Sequence, residues 1–131
     1  MATGVRPFLM FQGRAEEAMN FYVSLLPESE VLDIVRYGPE GPGAQGSVLR
    51  AAFRLKDQAV LCIDSPVKHG FDFTPSFSFW VDCDSDGEIG RLTGALTEDR
   101  APLMPLADHG FSRRFAWVRD RYGVSWQLNL A

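Results

Sequence analysis

The order of predicted elements occurs twice along the chain, and this duplication constrains the fold more than any other feature of the sequence. Apolar residues recur at spacings of three and four over 14–26 and predict an amphipathic helix, which Pro27 ends. A second helix is predicted over 84–98. Apolar and alternating runs predict strands over 7–11, 30–37, 47–55, 58–64, 75–81, 103–106, 111–118 and 124–130. Two β-α-β-β-β modules therefore follow one another.

This repeated order predicts a single α+β domain spanning residues 1–131. Its parts are a first module over 1–65, a linker over 65–73 and a second module over 74–131. In each module the strands are expected to form a curved mixed sheet with the helix on its outer face. Asp84 or Ser85 can cap the second helix, and Glu88 stands where it can complete a capping box with Ser85.

Period-two alternation assigns the strand residues to two faces of each sheet. The consistently apolar set is predicted to pack under the helices and comprises Phe8, Met10, Leu61, Ile63, Phe77, Phe79, Val81, Val124, Trp126 and Leu128. The opposite set is expected to line a ligand-binding cavity and comprises Pro7, Leu9, Cys62, Asp64, Ser76, Ser78, Trp80, Ser125, Gln127 and Asn129. A solvated face is the alternative, although Trp80 and Leu9 are poor choices for open solvent.

Charge and composition exclude several classes of partner. A formal net charge of -4, a pI near 5.1 and scattered arginines argue against nucleic acid. No charged leader precedes a long apolar run, and no apolar stretch reaches membrane-spanning length, so an unexported protein without a membrane partner is expected. Cys62 and Cys83 form no CxxC pair, and both are expected to be reduced thiols in the cytoplasm.

Three segments of the chain resemble a known family. Residues 13–22 (GRAEEAMNFY), 73–81 (FTPSFSFWV) and 120–128 (DRYGVSWQL) resemble the PhnB-like branch of the vicinal-oxygen-chelate superfamily, which includes glyoxalases, bleomycin-resistance proteins and dioxygenases. The resemblance covers nearly the whole chain and implies the paired modules of the glyoxalase/bleomycin-resistance fold. Members of this branch have often been labelled 3-demethylubiquinone-9 3-methyltransferase-like.

The methyltransferase label requires a cofactor site that the sequence does not favour. Residues 41–46 (GPGAQG) formally satisfy GxGxxG, a pattern that binds nucleotides when a strand precedes it and a helix follows it. Here the segment follows Pro39, contains Pro42 and leads into the strand predicted over 47–55. No helix N-terminus is then available to hold a phosphate, and a hairpin loop is expected.

The resemblance also implies four metal-ligand positions on the sheet faces, which fall on Pro7, Cys62, Ser76 and Gln127. Proline has no ligand atom and serine is a weak ligand, whereas divalent ions take several nitrogen and oxygen ligands. His69 in the linker and His109 in a loop are expected to be surface residues. We therefore predict neither a bound metal nor a cofactor.

Two classes of function remain open at this point. A metal-free binding module would use Trp80, Leu9 and Gln127 to hold a small, partly aromatic ligand. An enzyme, such as a lyase, isomerase or oxygenase-like protein for a small organic substrate, would use Asp64 as a general base or a metal held by other side chains. The alternative for Asp64 is to accept backbone hydrogen bonds at a strand end, and Cys62 is expected to be a small buried hydrophobic residue.

A homodimer is expected, because a sheet that curves around a cavity leaves an open side and edge strands that need cover. Two chains could pack side by side, or they could exchange modules through the linker over 65–73. The resemblance favours a cavity built from both chains, but the sequence does not choose between these arrangements.

Overall fold

The structure, a computed structural model, describes all residues from 1 to 131. Its two helices are α1 (Ala15–Leu25) and α2 (Asp86–Thr97), and neither combines the length and apolarity that crossing a membrane requires. The strands are β1 (Phe8–Phe11), β2 (Glu30–Arg36), β3 (Val48–Leu55), β4 (Gln58–Asp64), β5 (Ser78–Cys83), β6 (Met104–Ala107), β7 (Arg114–Arg119) and β8 (Ser125–Leu130). The predicted order of elements is confirmed.

The chain divides into two compact units, unit 1 (Met1–His69) and unit 2 (Gly70–Ala131). The sheet of unit 1 has the strand order β1-β4-β3-β2, in which β1 and β4 are parallel and the other neighbours antiparallel. The sheet of unit 2 has the equivalent order β5-β8-β7-β6, with β5 and β8 parallel. One helix packs on each sheet, so the predicted α+β class with two βαβββ modules is confirmed.

The helix of each unit begins at a carboxylate or hydroxyl that accepts its free backbone N–H groups. In unit 2 the predicted capping box is confirmed, because Glu88 N donates to Ser85 Oγ over 3.1 Å and Asp84 N donates to Glu88 Oε1 over 3.0 Å. In unit 1 the residue before α1 provides no side-chain cap. Asp64, at the end of β4, accepts from Ala15 N over 2.9 Å instead.

The face of the unit 2 sheet that α2 covers is the predicted one. Trp126 is 1% exposed, Leu128 and Val124 are also buried, and the Phe79 ring lies 4.8 Å from that of Trp126. Trp80 is 52% exposed on the opposite face, as expected from alternation along β5. Period-two reasoning therefore holds for the paired strands of this unit.

Phe77 was predicted to be buried with this set, and that prediction is wrong. The structure begins β5 at Ser78 rather than at Pro75, and Phe77 is 65% exposed. The preceding residues form a turn in which Ser76 N donates to Thr74 Oγ1 over 3.1 Å. This turn, which spans Pro75 and is closed by the Thr74 hydroxyl, delays the strand, so alternation does not extend back to residue 77.

The predicted faces of unit 1 are reversed. Strand register places Leu9, Cys62 and Asp64 on the same face of the sheet as Phe53. This face lies under α1, because the Phe53 ring lies 6.2 Å from that of Tyr22 in α1. All three residues are buried there. The residues predicted to lie under the helix are on the other face: Phe8, Met10, Leu61 and Ile63. Phe8 is 54% exposed. Leu9, Cys62 and Asp64 therefore do not line an accessible sheet face.

The burial of the two tryptophans leads to a direct test of the unit 2 faces. We expect Trp126→Ala to lower the free energy of unfolding by about 3–5 kcal/mol, because it empties the space of a large buried ring. Trp80→Ala should cost clearly less, since half of that ring is already in solvent. Urea titrations followed by far-UV circular dichroism measure both values. Equal losses would contradict the strand parity described above.

Candidate functional site

Pairing register places three rows of side chains on the face of the unit 2 sheet that α2 does not cover. The first row contains Ser78, Ser125 and Arg119. The second row contains Trp80, Gln127, Trp117 and Met104. The third row contains Asp82, Asn129, Phe115 and Ala107. Large aromatic side chains thus stand beside small polar ones on a single surface.

A cluster of aromatic rings dominates this surface. The ring centroid of Phe115 lies 5.8 Å from that of Trp80 and 4.9 Å from that of Phe111, and the His109 ring lies 6.1 Å away. Phe115 is buried beneath these neighbours, whereas Phe111 is 60% exposed. We call the surface formed by Trp80, His109, Phe111, Phe115 and Trp117 the aromatic face.

Hydrogen bonds hold the exposed members of the aromatic face in place. Trp80 Nε1 donates to Asp82 Oδ1 over 2.9 Å, which fixes the plane of the indole ring. The loop between β6 and β7 is tied down where Ser112 Oγ donates to Asn129 Oδ1, and a His109 ring nitrogen lies 2.8 Å from the carbonyl oxygen of Pro105. The rings are therefore positioned before any ligand arrives.

A polar network adjoins the aromatic face at the next row of the sheet. Ser125 Oγ accepts from Trp117 Nε1 over 2.9 Å and lies 2.5 Å from Ser78 Oγ. Gln127 Nε2 donates to Ser78 Oγ over 3.2 Å. The Gln127 side-chain oxygen accepts no hydrogen bond within the protein, so it is free to accept one from a ligand.

Asp64, the candidate general base, has a structural environment. Its carboxylate accepts from Gly13 N over 2.7 Å, from Ala15 N over 2.9 Å and from Val48 N over 2.9 Å. It is 3% exposed, and its own carbonyl oxygen accepts from the Tyr37 hydroxyl. These bonds join the start of α1, the start of β3 and the end of β4, which matches the strand-end alternative.

Both cysteines are buried free thiols. Burial and the neighbouring Asp64 carboxylate raise the pKa of the Cys62 thiol to about 12. Burial, with Glu88 as the next cause, raises the pKa of the Cys83 thiol to about 11. The thiolate forms that attack substrates or bind metals are therefore disfavoured at neutral pH.

The four positions that the resemblance assigns to metal ligands do not fit that role. In unit 1, Pro7 offers only its carbonyl oxygen, which already accepts from Leu61 N over 2.9 Å, and Cys62 points under α1. In unit 2, Ser76 lies in an exposed turn with its hydroxyl 2.5 Å from that of Thr74, and Gln127 belongs to the polar network. No group of three or more His, Cys, Asp or Glu side chains is placed to hold a metal ion.

The glycine-rich segment Gly41–Gly46 connects β2 to β3, as the hairpin interpretation predicts. Gly43 packs against the buried Tyr37 ring so closely that a Cβ atom would lie 2.5 Å from its Cε2 atom. Tyr37 N and O both bond within this loop, to Ser47 O and from Gly46 N. The glycines therefore allow the close contact with Tyr37 and the turn of the chain, and no helix follows them.

Sequence reasoning identified some members of the unit 2 surface and missed others. It named Ser78, Trp80, Ser125 and Gln127, which the sheet brings together, and Ser76, which it does not. It missed Phe115 and Trp117, which alternate with the buried Ala116 and Val118 in β7 and could have been found from that pattern. It also missed His109 and Phe111, because loop residues carry no periodic signal.

Comparisons with known proteins agree with this architecture. A family model described as 3-demethylubiquinone-9 3-methyltransferase matches residues 3–129. A solved structure from Bacillus cereus, described as a 3-demethylubiquinone-9 3-methyltransferase and PhnB protein, is 50% identical with a TM-score of 0.95, covering 98% of this chain and 100% of its own. No curated protein matches the chain in sequence.

More distant structures share the fold alone. Protein PA1353 from Pseudomonas aeruginosa is 24% identical with a TM-score of 0.76, covering 98% of each chain. A glyoxylase/bleomycin resistance protein/dioxygenase domain from Frankia sp. EAN1pec is 18% identical with a TM-score of 0.61, covering 100% of this chain and 99% of its own. The predicted glyoxalase/bleomycin-resistance-like fold is confirmed.

The role of Asp64 can be tested by removing its carboxylate. We expect Asp64→Ala to lower the free energy of unfolding by about 3 kcal/mol or more, because three backbone donors lose their buried acceptor. Asp57→Ala is the matched control, since Asp57 is exposed in the turn between β3 and β4 and should change stability by less than about 0.5 kcal/mol. Urea titration measures both. An Asp64→Ala variant as stable as Asp57→Ala would contradict the structural role.

Proposed function

Because the chain belongs to the PhnB-like 3-demethylubiquinone-9 3-methyltransferase family of the glyoxalase/bleomycin-resistance superfamily, we propose that it is a small-molecule-binding protein that uses no metal. The proposed ligand is a planar, partly aromatic molecule that lies on the aromatic face of unit 2. The observation that carries this proposal is the pair of exposed rings, Trp80 and Phe111, whose centroids lie 5.8 and 4.9 Å from that of buried Phe115.

The exposure of these rings supports a binding role. Single exposed apolar residues are common on protein surfaces, but a cluster of them marks a site of interaction. Stacking a ligand ring on Trp80 or Phe111 removes apolar surface of both partners from water, and an aromatic pair adds about 0.5–1.5 kcal/mol beyond that burial. The Trp80 ring is already held by its hydrogen bond to Asp82, and the loop that carries Phe111 is held by the Ser112 bond to Asn129, so little side-chain freedom is lost on binding.

The polar network supports recognition of a specific group on the ligand. Gln127 lies beside Trp80 in the same row, and its side-chain oxygen is free to accept a hydrogen bond. A planar ligand with one polar edge would stack on Trp80 and donate to Gln127. Small-molecule sites usually combine mostly apolar contacts with a few placed polar groups in this way.

Binding is favoured over catalysis by what the candidate catalytic groups already do. The Asp64 carboxylate accepts three backbone hydrogen bonds beneath α1, and the Cys62 thiol is buried beside it. Methyl transfer, the activity in the family description, would need a cofactor site, and Gly41–Gly46 leads from strand to strand instead. Binding to the aromatic face requires only side chains that are accessible.

We also propose that the protein is a homodimer located in the cytoplasm. Apolar side chains that lie exposed in β2 and β3 of unit 1 include Val31, Leu32 and Leu49, and β2 is an edge strand of its sheet. A symmetric pair of chains is the commonest way to bury such a surface. Side-by-side pairing and exchange through residues 65–73 are both compatible with this proposal. The two free thiols favour a reducing compartment.

Quinoline, a planar aromatic ring system without a hydrogen-bond donor, serves as the probe for stacking on the aromatic face. We expect its addition to shift the NMR signals of the Trp80 indole N–H and the Gln127 side-chain amide. Trp80→Ala should weaken binding by about tenfold or more, followed through the Gln127 amide, because the main stacking surface is lost. Phe8→Ala is the matched control, an exposed ring on the sheet of unit 1, and should leave affinity unchanged within about twofold.

Two results would count against this site. Quinoline that leaves the Trp80 and Gln127 signals unchanged at saturating concentration would show that the aromatic face binds no planar molecule of this size. An equal loss of affinity in Phe8→Ala and Trp80→Ala would show that the binding is nonspecific adsorption to exposed rings.

The oligomeric state is measured by light scattering on a sizing column. We expect twice the 14.6 kDa mass of the single chain at micromolar concentration, because pairing covers the exposed apolar residues of β2 and β3. A mass of 14.6 kDa across the micromolar range would exclude a stable dimer.

A further inference from the structure

Resting on the proposed function, we infer that the ligand of the aromatic face is a planar organic cation. The inference comes from the position of one carboxylate, that of Asp82, relative to the exposed Trp80 ring. An aromatic surface alone accepts neutral molecules of many kinds. A negative charge beside the ring selects among them.

Asp82 lies on the same face as Trp80, two residues later in β5, and is paired with Asn129 in the third row. Its Oδ1 atom accepts from Trp80 Nε1 over 2.9 Å. Its other carboxylate oxygen has no hydrogen-bond partner in the protein, and the side chain is exposed. The carboxylate therefore holds the indole and keeps one oxygen available to a ligand.

The protein leaves the charge of Asp82 uncompensated. None of the ion pairs in the protein includes Asp82. Arg119 shares the sheet face but stands two rows away, roughly 13 Å along the strands at about 3.3 Å per residue. Its guanidinium donates to Phe73 O over 3.1 Å. Screening over about 8–10 Å at physiological salt makes its influence on Asp82 small.

Other arginines near this end of unit 2 bond to groups other than Asp82. Arg113 donates from Nε and Nη2 to the carbonyl oxygen of Ala131 over 3.2 and 2.8 Å. Arg114 forms an ion pair with Asp86 at the start of α2, over 3.3 Å. His109, the titratable member of the aromatic face, has a ring nitrogen beside the carbonyl oxygen of Pro105. None of these groups bonds to Asp82, so the charged group in contact with the Trp80 ring is the Asp82 carboxylate.

The two groups favour a cation together. The face of an indole ring attracts a cation within about 6 Å through its quadrupole, and the attraction is strongest for tryptophan among the aromatic residues. A hydrogen bond from Trp80 Nε1 to a carboxylate places further negative charge in the plane of that ring. A flat cation stacked on Trp80 gains both the cation–π attraction and the attraction to the Asp82 carboxylate. A neutral ring gains neither of these electrostatic attractions, and an anion is repelled.

A matched pair of probes separates charge from shape. N-methylquinolinium carries a permanent positive charge on the ring system of quinoline, which is uncharged at pH 8. Each is titrated at pH 8 into the full-length ¹⁵N-labelled protein, and the indole N–H signals of Trp80, Trp117 and Trp126 are followed. We expect N-methylquinolinium to bind about tenfold more tightly than quinoline, with the largest shift at Trp80.

Asp82→Asn removes the charge while keeping an oxygen that can accept from Trp80 Nε1. In this variant the preference for N-methylquinolinium should fall to about twofold or less, and the affinity for quinoline should stay within about twofold of the original. Asp57→Asn, which removes an exposed carboxylate from unit 1, is the matched control and should keep the full preference.

The outcomes distinguish this inference from the proposed function on which it rests. Equal binding of the two probes with the expected Trp80 shift, or a preference unchanged in Asp82→Asn, would overturn the cation and leave the aromatic face as a binding site. Absence of any Trp80 shift with both probes would overturn the proposed function and the cation together.

Discussion

A single helix covers one face of each four-stranded sheet, so the strands of both units must suit two environments at once. Under α2 the side chains are large and apolar, with Trp126 at the centre. On the uncovered face, wholly polar side chains would have formed hydrogen bonds with water and left no apolar surface exposed. Unit 2 instead carries Trp80, Phe111 and Phe115 there. These aromatic residues support a binding role for this face.

Two buried carboxylates show that the acidic residues with the least solvent contact are structural. Asp64 accepts three backbone N–H groups in unit 1. Asp120 in unit 2 accepts from Tyr122 N, Val124 N and the indole of Trp126, over 2.8, 3.0 and 2.9 Å. Each carboxylate is saturated by donors that would otherwise be unpaired in the interior. The exposed Asp82 differs, because one of its oxygens remains available.

The sequence predicts the element order, the α2 capping box and the faces of unit 2 because each depends on local signals. Ser85 and Glu88 are three residues apart, and apolar Trp126 and Leu128 alternate with polar Ser125 and Gln127. The faces of unit 1 cannot be predicted this way, because β1 and β4 are apolar on both sides. The sequence therefore assigns Asp64 to the wrong face of the sheet, because its burial depends on backbone donors that only the fold brings together.

The aromatic face was recognised only in part for a related reason. Trp80 and Gln127 follow from strand alternation, but Phe111 reaches the surface from a loop whose course depends on the Ser112 bond to Asn129. Unit 2 thus combines a sheet that local patterns specify with a loop that tertiary contacts specify. A binding surface of this kind can be described only after both have been placed.

In the proposed site, a planar ligand lies against Trp80 and Phe111 on the uncovered face of the unit 2 sheet. A crystal structure of the protein grown with N-methylquinolinium tests this most directly. We expect a flat ligand stacked within about 4 Å of the Trp80 ring, in van der Waals contact, with its charged nitrogen toward Asp82. A ligand bound only at Phe8 or another site of unit 1, with Trp80 still bare, would contradict it.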